Sequence, residues 1–193
     1  MRIVNDKIYI IKGETPTYNA LVINKYTGAP YIIDSGVENP YIEFIVRPSI
    51  YNRKDDYVFR LFLDCSSVHR FSSVDVVEYS QSVWDNDVPP SAGDENKLFR
   101  RTVDGVSDYR YYDPDATGSG ADYKWIPYEF VISFMFPYSA TSLMEAKQYK
   151  YEISLYGGSV KSDPKPDEIP INITYKDPIL EATDFIVGGS ISE

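Results

Sequence analysis

Apolar residues recur at every second position over much of this chain. In "YKYEISLY", Tyr149, Tyr151, Ile153 and Leu155 alternate with Lys150, Glu152 and Ser154. In "YIEFIVR", Ile42, Phe44 and Val46 share one side, with Glu43 and Arg47 on the other. Ile169, Ile171, Ile173 and Tyr175 line up in "IPINITY". A period of two marks a strand buried on one face. "YVFRLFLD" and "YEFVISFMF" are apolar on both faces, which predicts central strands. About eight to ten segments fit the strand template. One segment, residues 139–148 ("SATSLMEAKQ"), has helical character. Within it, Ser142 followed by Glu145 fits a capping box, in which each side chain satisfies a free amide at the helix start. Most prolines sit at the ends of apolar runs, where a missing amide costs no ladder bond. The pattern predicts an all-β chain with at most one short helix. It is expected to form a single β-sandwich domain over residues 1–178, with a C-terminal arm at 179–193.

Residues 80–124 depart from this rhythm. The stretch is polar, rich in turn residues and irregular, and it reads as a long central insertion with room for a short hairpin. It also carries Trp84, Phe99, Tyr109, Tyr111 and Tyr112, which is too aromatic for plain disorder. Those rings are candidates for packing against another protein subunit. The competing use is a platform of Trp84, Tyr109, Tyr111 and Tyr112 that stacks on sugar rings. Phe185, Ile186 and Val187 form an apolar run near the C-terminus, followed by a Gly pair. Such a tail can add a strand to a neighbour's sheet, or it can be the last strand of its own sandwich with a frayed end.

The 193 residues suffice to bury a core without staples. There are 18 tyrosines, a residue suited to half-buried strands and contact surfaces. The formal net charge of −10 argues against a broad basic footprint for nucleic acid or anionic lipid. One cysteine, Cys65, excludes an internal disulfide and a thiolate zinc site within one chain. The one histidine, His69, lies four residues on, in a segment that reads as a turn into a strand rather than a helix. A Cys–His nucleophile pair is therefore not expected. "DPDATGSGADYK" places Asp113, Asp115 and Thr117 at alternate positions, but Lys124 stands where a calcium loop needs Glu. Carboxylate pairs are common, yet sequence gives no separation across a cleft for a glycosidase. No cofactor is implied. The N-terminus shows no charged head followed by a long apolar run, and the longest apolar stretch is too short to span a bilayer as a helix. The expectation is a soluble protein made in a cytoplasm, with neither nucleic acid nor membrane as partner.

Four short motifs carry a family resemblance. Residues 12–15 ("KGET") lead into a strand, residues 28–31 ("GAPY") make a second turn, and residues 42–47 ("IEFIVR") form a strand with alternating apolar positions. This order resembles the N-terminal immunoglobulin-like domain of phage tail and baseplate proteins, notably baseplate upper proteins. "SLMEAKQYKYEISLYGG" resembles the connection and strand near the end of such sandwiches. In that resemblance Tyr149 takes the tyrosine-corner role, its hydroxyl tied to upstream backbone, and Gly13 and Gly28 serve the turns. The central insertion departs from the family pattern. The resemblance implies a non-enzymatic virion protein of a tailed phage, in the tail, baseplate or head–tail connector. Its partners would be other virion proteins and copies of itself. A carbohydrate- or receptor-binding module, with a glycan as partner, is the alternative, and a hydrolase a third reading.

Overall fold

A computed structural model describes residues 2–4, 7–24, 26–48, 56–72, 76–80, 88–119, 123–166 and 168–188. The described chain is nearly all β. In chain order the strands are β1 (Arg2–Val4), β2 (Lys7–Ile11), β3 (Thr17–Leu21), β4 (Tyr41–Arg47), β5 (Phe59–Asp64) and β6 (Val76–Glu78). They continue as β7 (Leu98–Val103), β8 (Val106–Tyr112), β9 (Trp125–Pro127), β10 (Val131–Met135), β11 (Gln148–Val160) and β12 (Ile171–Gly188). The helix, α1, is a single turn at Tyr138–Thr141. The chain divides into two compact units rather than one sandwich with an appended insertion.

The first unit holds Met1–Ala20, Val37–Val68 and Ile132–Glu193. Its main sheet has the order β1-β2-β12-β11-β4-β5. β3 pairs with β10 as a second, two-stranded sheet, and the two sheets face each other as a sandwich. Phe44 sits at the centre of the aromatic core between them. Its ring lies 5.1 Å from Phe136, 5.2 Å from Tyr151 and 5.5 Å from both Tyr18 and Phe134. Each ring so buried contributes about 2–3 kcal/mol by leaving water, and tilted pairs add to that.

Tyr149, Tyr151, Ile153 and Leu155 are all buried, as their alternation predicts. Three other patterns play out differently. β4 is buried on both faces: one faces the core, and the other is screened by long side chains of the flanking strands, Arg60 of β5 and Glu152 of β11. Its polar residues are therefore paired, Glu43 with Arg60 at 3.0 Å and Arg47 with Glu152 at 3.8 Å. β10, expected to be apolar on both faces, alternates instead: Ile132 and Phe134 are buried while Val131 and Met135 are exposed. The two-stranded sheet has one covered face, so only one set of side chains finds a partner. Pro137 precedes the helix in extended conformation at the N-cap position, and its carbonyl accepts from the Ala140 and Thr141 amides. Ser142 caps its C-terminal end, and the Glu145 carboxylate pairs with Lys147 at 2.6 Å. The proposed capping box is not formed. The Thr141 hydroxyl anchors this turn by donating to the Glu14 carbonyl at 2.6 Å.

The C-terminal arm is corrected as well. Residues 179–188 continue β12, which runs antiparallel to β11 and then parallel to β2 over Phe185–Gly188. Asp184 ties three strands together at this point. It pairs with Lys7 of β2 at 2.9 Å and with Lys150 of β11 at 2.6 Å, and it accepts a bond from Gln148. Hydrogen bonds from Lys150 and Lys7 hold its carboxyl down to about 2.

The second unit holds Leu21–Gly36 and His69–Val131. Its sheet has the order β6-β7-β8-β9. β7 and β8 form an antiparallel hairpin whose turn residues, Asp104 and Gly105, both have positive φ. That is the conformation a tight hairpin with native twist requires. The hairpin for which stretch 80–124 had room is therefore formed by Leu98–Val103 and Val106–Tyr112. Two aromatic clusters hold this unit. Phe71, Leu98, Tyr109 and Tyr128 form one, Phe99 and Trp125 the other. Trp125 lies edge-on to Phe99 at 5.1 Å.

Candidate functional site

The residues singled out from sequence go to three places. Phe99 and Tyr109 are buried in the two clusters of the second unit, not on its surface. Phe185 and Val187 are buried in the core of the first unit, with Ile186 half-buried between them. A strand with covered neighbours on both sides buries alternate side chains, which is why the apolar "DFIV" run points inward. Trp84 lies outside the described residues. Tyr111 and Tyr112 are half-buried and remain partly accessible. The structure thus does not bring Tyr109, Tyr111 and Tyr112 together as an open platform.

The three structural residues have clear local roles. Gly13, at φ +81°, turns β2 back through a bond from the Glu14 amide to the Ile11 carbonyl. Gly28, at φ +70°, closes a turn organised by Asn24, whose side-chain oxygen accepts from the amides of Tyr26 and Thr27. The Tyr149 hydroxyl ties to backbone four residues upstream. It accepts from the Glu145 amide at 2.9 Å and donates to the Glu145 carbonyl at 3.2 Å.

The two residues with nucleophile or base chemistry are placed for structure. Cys65 is fully buried beside the Leu63 carbonyl, and burial pushes its thiol up to about 11. A thiol of that kind is not a thiolate at neutral pH and is a poor nucleophile. His69 stacks on Tyr111 with ring centres 4.0 Å apart and planes 17° from parallel. Burial of its ring lowers its pKa, opposed by the Asp113 charge. Asp113 accepts a bond from the Asp115 amide at 3.0 Å, which closes the loop on itself.

These last residues border a cleft in the second unit, of about 260 Å³. Its ring walls are His69 and Tyr112, and Pro89, Pro90 and Pro114 complete the apolar lining. Glu95, Asn96 and Asp113 supply the polar groups. Sequence reading reached Tyr112 and Asp113, but for other uses. It missed the proline and Glu95–Asn96 wall, whose only signal is the turn-rich run "VPPSAGDEN" between strands. Comparison with family models, with curated proteins and with solved structures returns no match.

A second surface belongs to the first unit. β12 is the longest strand, yet among the described residues it pairs on its β2 side only over Phe185–Gly188. From residue 171 to 184 its described strand partner is β11 alone. Ile173 is 45% exposed and Tyr175 41% exposed along this stretch. β11 runs beside it over this stretch, where Gly157 and Gly158 let neighbouring groups come close. A side chain at Gly157 would meet Val37 at 2.5 Å, and one at Gly158 would collide with the Asn172 carbonyl. The margin is tempered by Lys176, Asp177 and Pro178, residue types that discourage indiscriminate pairing.

Proposed function

We propose that this chain is a non-enzymatic structural component of a tailed-phage virion, in the tail, baseplate or head–tail connector. It would hold neighbouring virion proteins and copies of itself through sheet margins and Tyr-rich surface. The observation that carries the reading is the long outer margin of β12, with Ile173 and Tyr175 exposed along it. A long strand margin offers backbone groups for pairing, and alternate side chains lend specificity to what pairs there. The motifs at 12–15, 28–31 and 42–47 support the same reading by their resemblance to phage baseplate domains. Phe185 and Val187 have no part in it, since they belong to the chain's own core. Quantitative mass spectrometry of purified particles from the source tests the proposal. Presence at fixed stoichiometry is the expected result, and absence from the particles would end it.

A second reading has one specific observation in its favour. The cleft sets the rings of His69 and Tyr112 beside polar groups, as a carbohydrate- or receptor-binding module would. Glycan-array binding that is lost on Tyr112→Ala is the outcome this reading expects. Silence on the array would remove its carbohydrate form.

A further inference from the structure

We infer that the cleft of the second unit is a site for a guanidinium group, the side chain of an arginine displayed by a partner protein. The inference rests on reading the cleft as a recognition site and is independent of virion membership. Its first support is charge. Glu95 and Asp113 both line the cleft, and among its described lining residues there is no lysine or arginine. Each carboxylate is held in place by its own turn. Glu95 accepts from the Gly93 amide at 2.8 Å, and Asp113 accepts from the Asp115 amide at 3.0 Å. An ionised carboxylate has about four acceptor positions, so each keeps capacity for a further donor. Arginine offers five N–H donors in a planar fork that matches such acceptors.

The second support is shape. Tyr112 and His69 are the aromatic residues of the lining, and the His69 plane is fixed by its stack on Tyr111. A planar, weakly hydrated cation is attracted to aromatic rings. Burial lowers the His69 pKa, which favours the uncharged ring, and an uncharged ring does not repel a cation. The prolines give a rigid apolar wall for the methylene stem of the side chain. The volume of about 260 Å³ falls below the usual range for drug-sized ligands, which suits one side chain better than an extended glycan. A neutral sugar would gain hydrogen bonds here but none of the charge attraction. The net charge of −10 on the whole chain draws cations in the same sense.

The test is an amide-resolved NMR titration of the full chain with N-acetyl-arginine amide. N-acetyl-lysine amide and a neutral monosaccharide, methyl glucoside, serve as comparison probes. The expected result is saturable shifts confined to the amides around residue 69, at 91–96 and at 112–113, weaker with the lysine probe and absent with the sugar. Asp113→Asn and Glu95→Gln should each weaken arginine binding about tenfold, as expected for loss of one charge-assisted contact. Tyr112→Leu should weaken it by a smaller factor, with both charges still in place. Shifts with methyl glucoside and none with arginine would overturn the inference and assign the cleft to saccharide. Absence of saturable shifts with every probe would overturn it too, as would arginine binding unchanged in both charge-removing variants. None of these outcomes depends on whether the chain is found in particles, so failure here is separable from failure of the virion reading.

Discussion

The two units solve the same problem, burial of aromatic rings, with very different amounts of sheet. The first places Phe44 between two facing sheets, with rings from β3, β4, β10, β11 and β12 converging on one core. The second has one four-stranded sheet and two small clusters, completed by side chains from short strands and connections. In the first, period-two alternation follows from the architecture, because long strands present one face to a facing layer. In the second, strands such as β6 and β9 are three residues long, too short for alternation to register. Its rings are buried by turns and loops as much as by strands. A polar, turn-rich stretch can therefore carry a core, and its aromatics are not surplus.

The largest expected effect lies where the first core is densest. Phe44→Ala removes a ring in contact with at least four others and should destabilise the first unit by about 4 kcal/mol, measured by chemical denaturation. A loss under about 1 kcal/mol would mean that the facing sheets are not packed as described. Next comes Trp125→Ala in the second unit, with an expected loss of about 3 kcal/mol. This variant sharpens the comparison, because a ring used only for contact with another molecule would cost almost nothing on removal from the free protein. Gly158→Ala should follow at about 2 kcal/mol, since the new methyl must displace the Asn172 backbone. The smallest effect is the Asp184 clasp. Asp184→Asn should cost about 1 kcal/mol, because its partners are partly solvated. The Asp184 carboxyl is held below its ordinary value of 3.8, so its contribution is complete above that value and is lost as pH falls toward about 2. Acid titration of wild-type stability should show this loss, and Asp184→Asn should flatten it over the same interval.

What could be read from sequence follows the same division. The all-β class, the buried face of β11 and the turns at Gly13 and Gly28 were legible, because each depends on local chemistry or on a long strand with one covered face. The burial of Glu43 and Arg47 was not, since it depends on β4 lying between two other strands. Ser142 and Glu145 fitted a helix start locally, but Pro137 begins the turn earlier. Phe185 and Val187 looked like an arm because the sequence does not say that β12 finds β2, far away along the chain, as its parallel neighbour. In the second unit no periodic signal marks Phe99 and Tyr109 as core, so from sequence they read as contact residues. The cleft was invisible for a related reason. Its walls come from three separated segments, around residues 69, 89–96 and 112–114, and no local pattern joins them.

The claim on which the functional account turns is that the outer margin of β12 grips a neighbour. Ile173→Lys combined with Tyr175→Lys puts two charges on that margin at positions already exposed, so folding should survive. The measurement is incorporation of this double variant into particles, in direct competition with the wild-type chain. The account predicts a variant that folds with wild-type stability and is excluded from particles. Incorporation in proportion to its supply would contradict it.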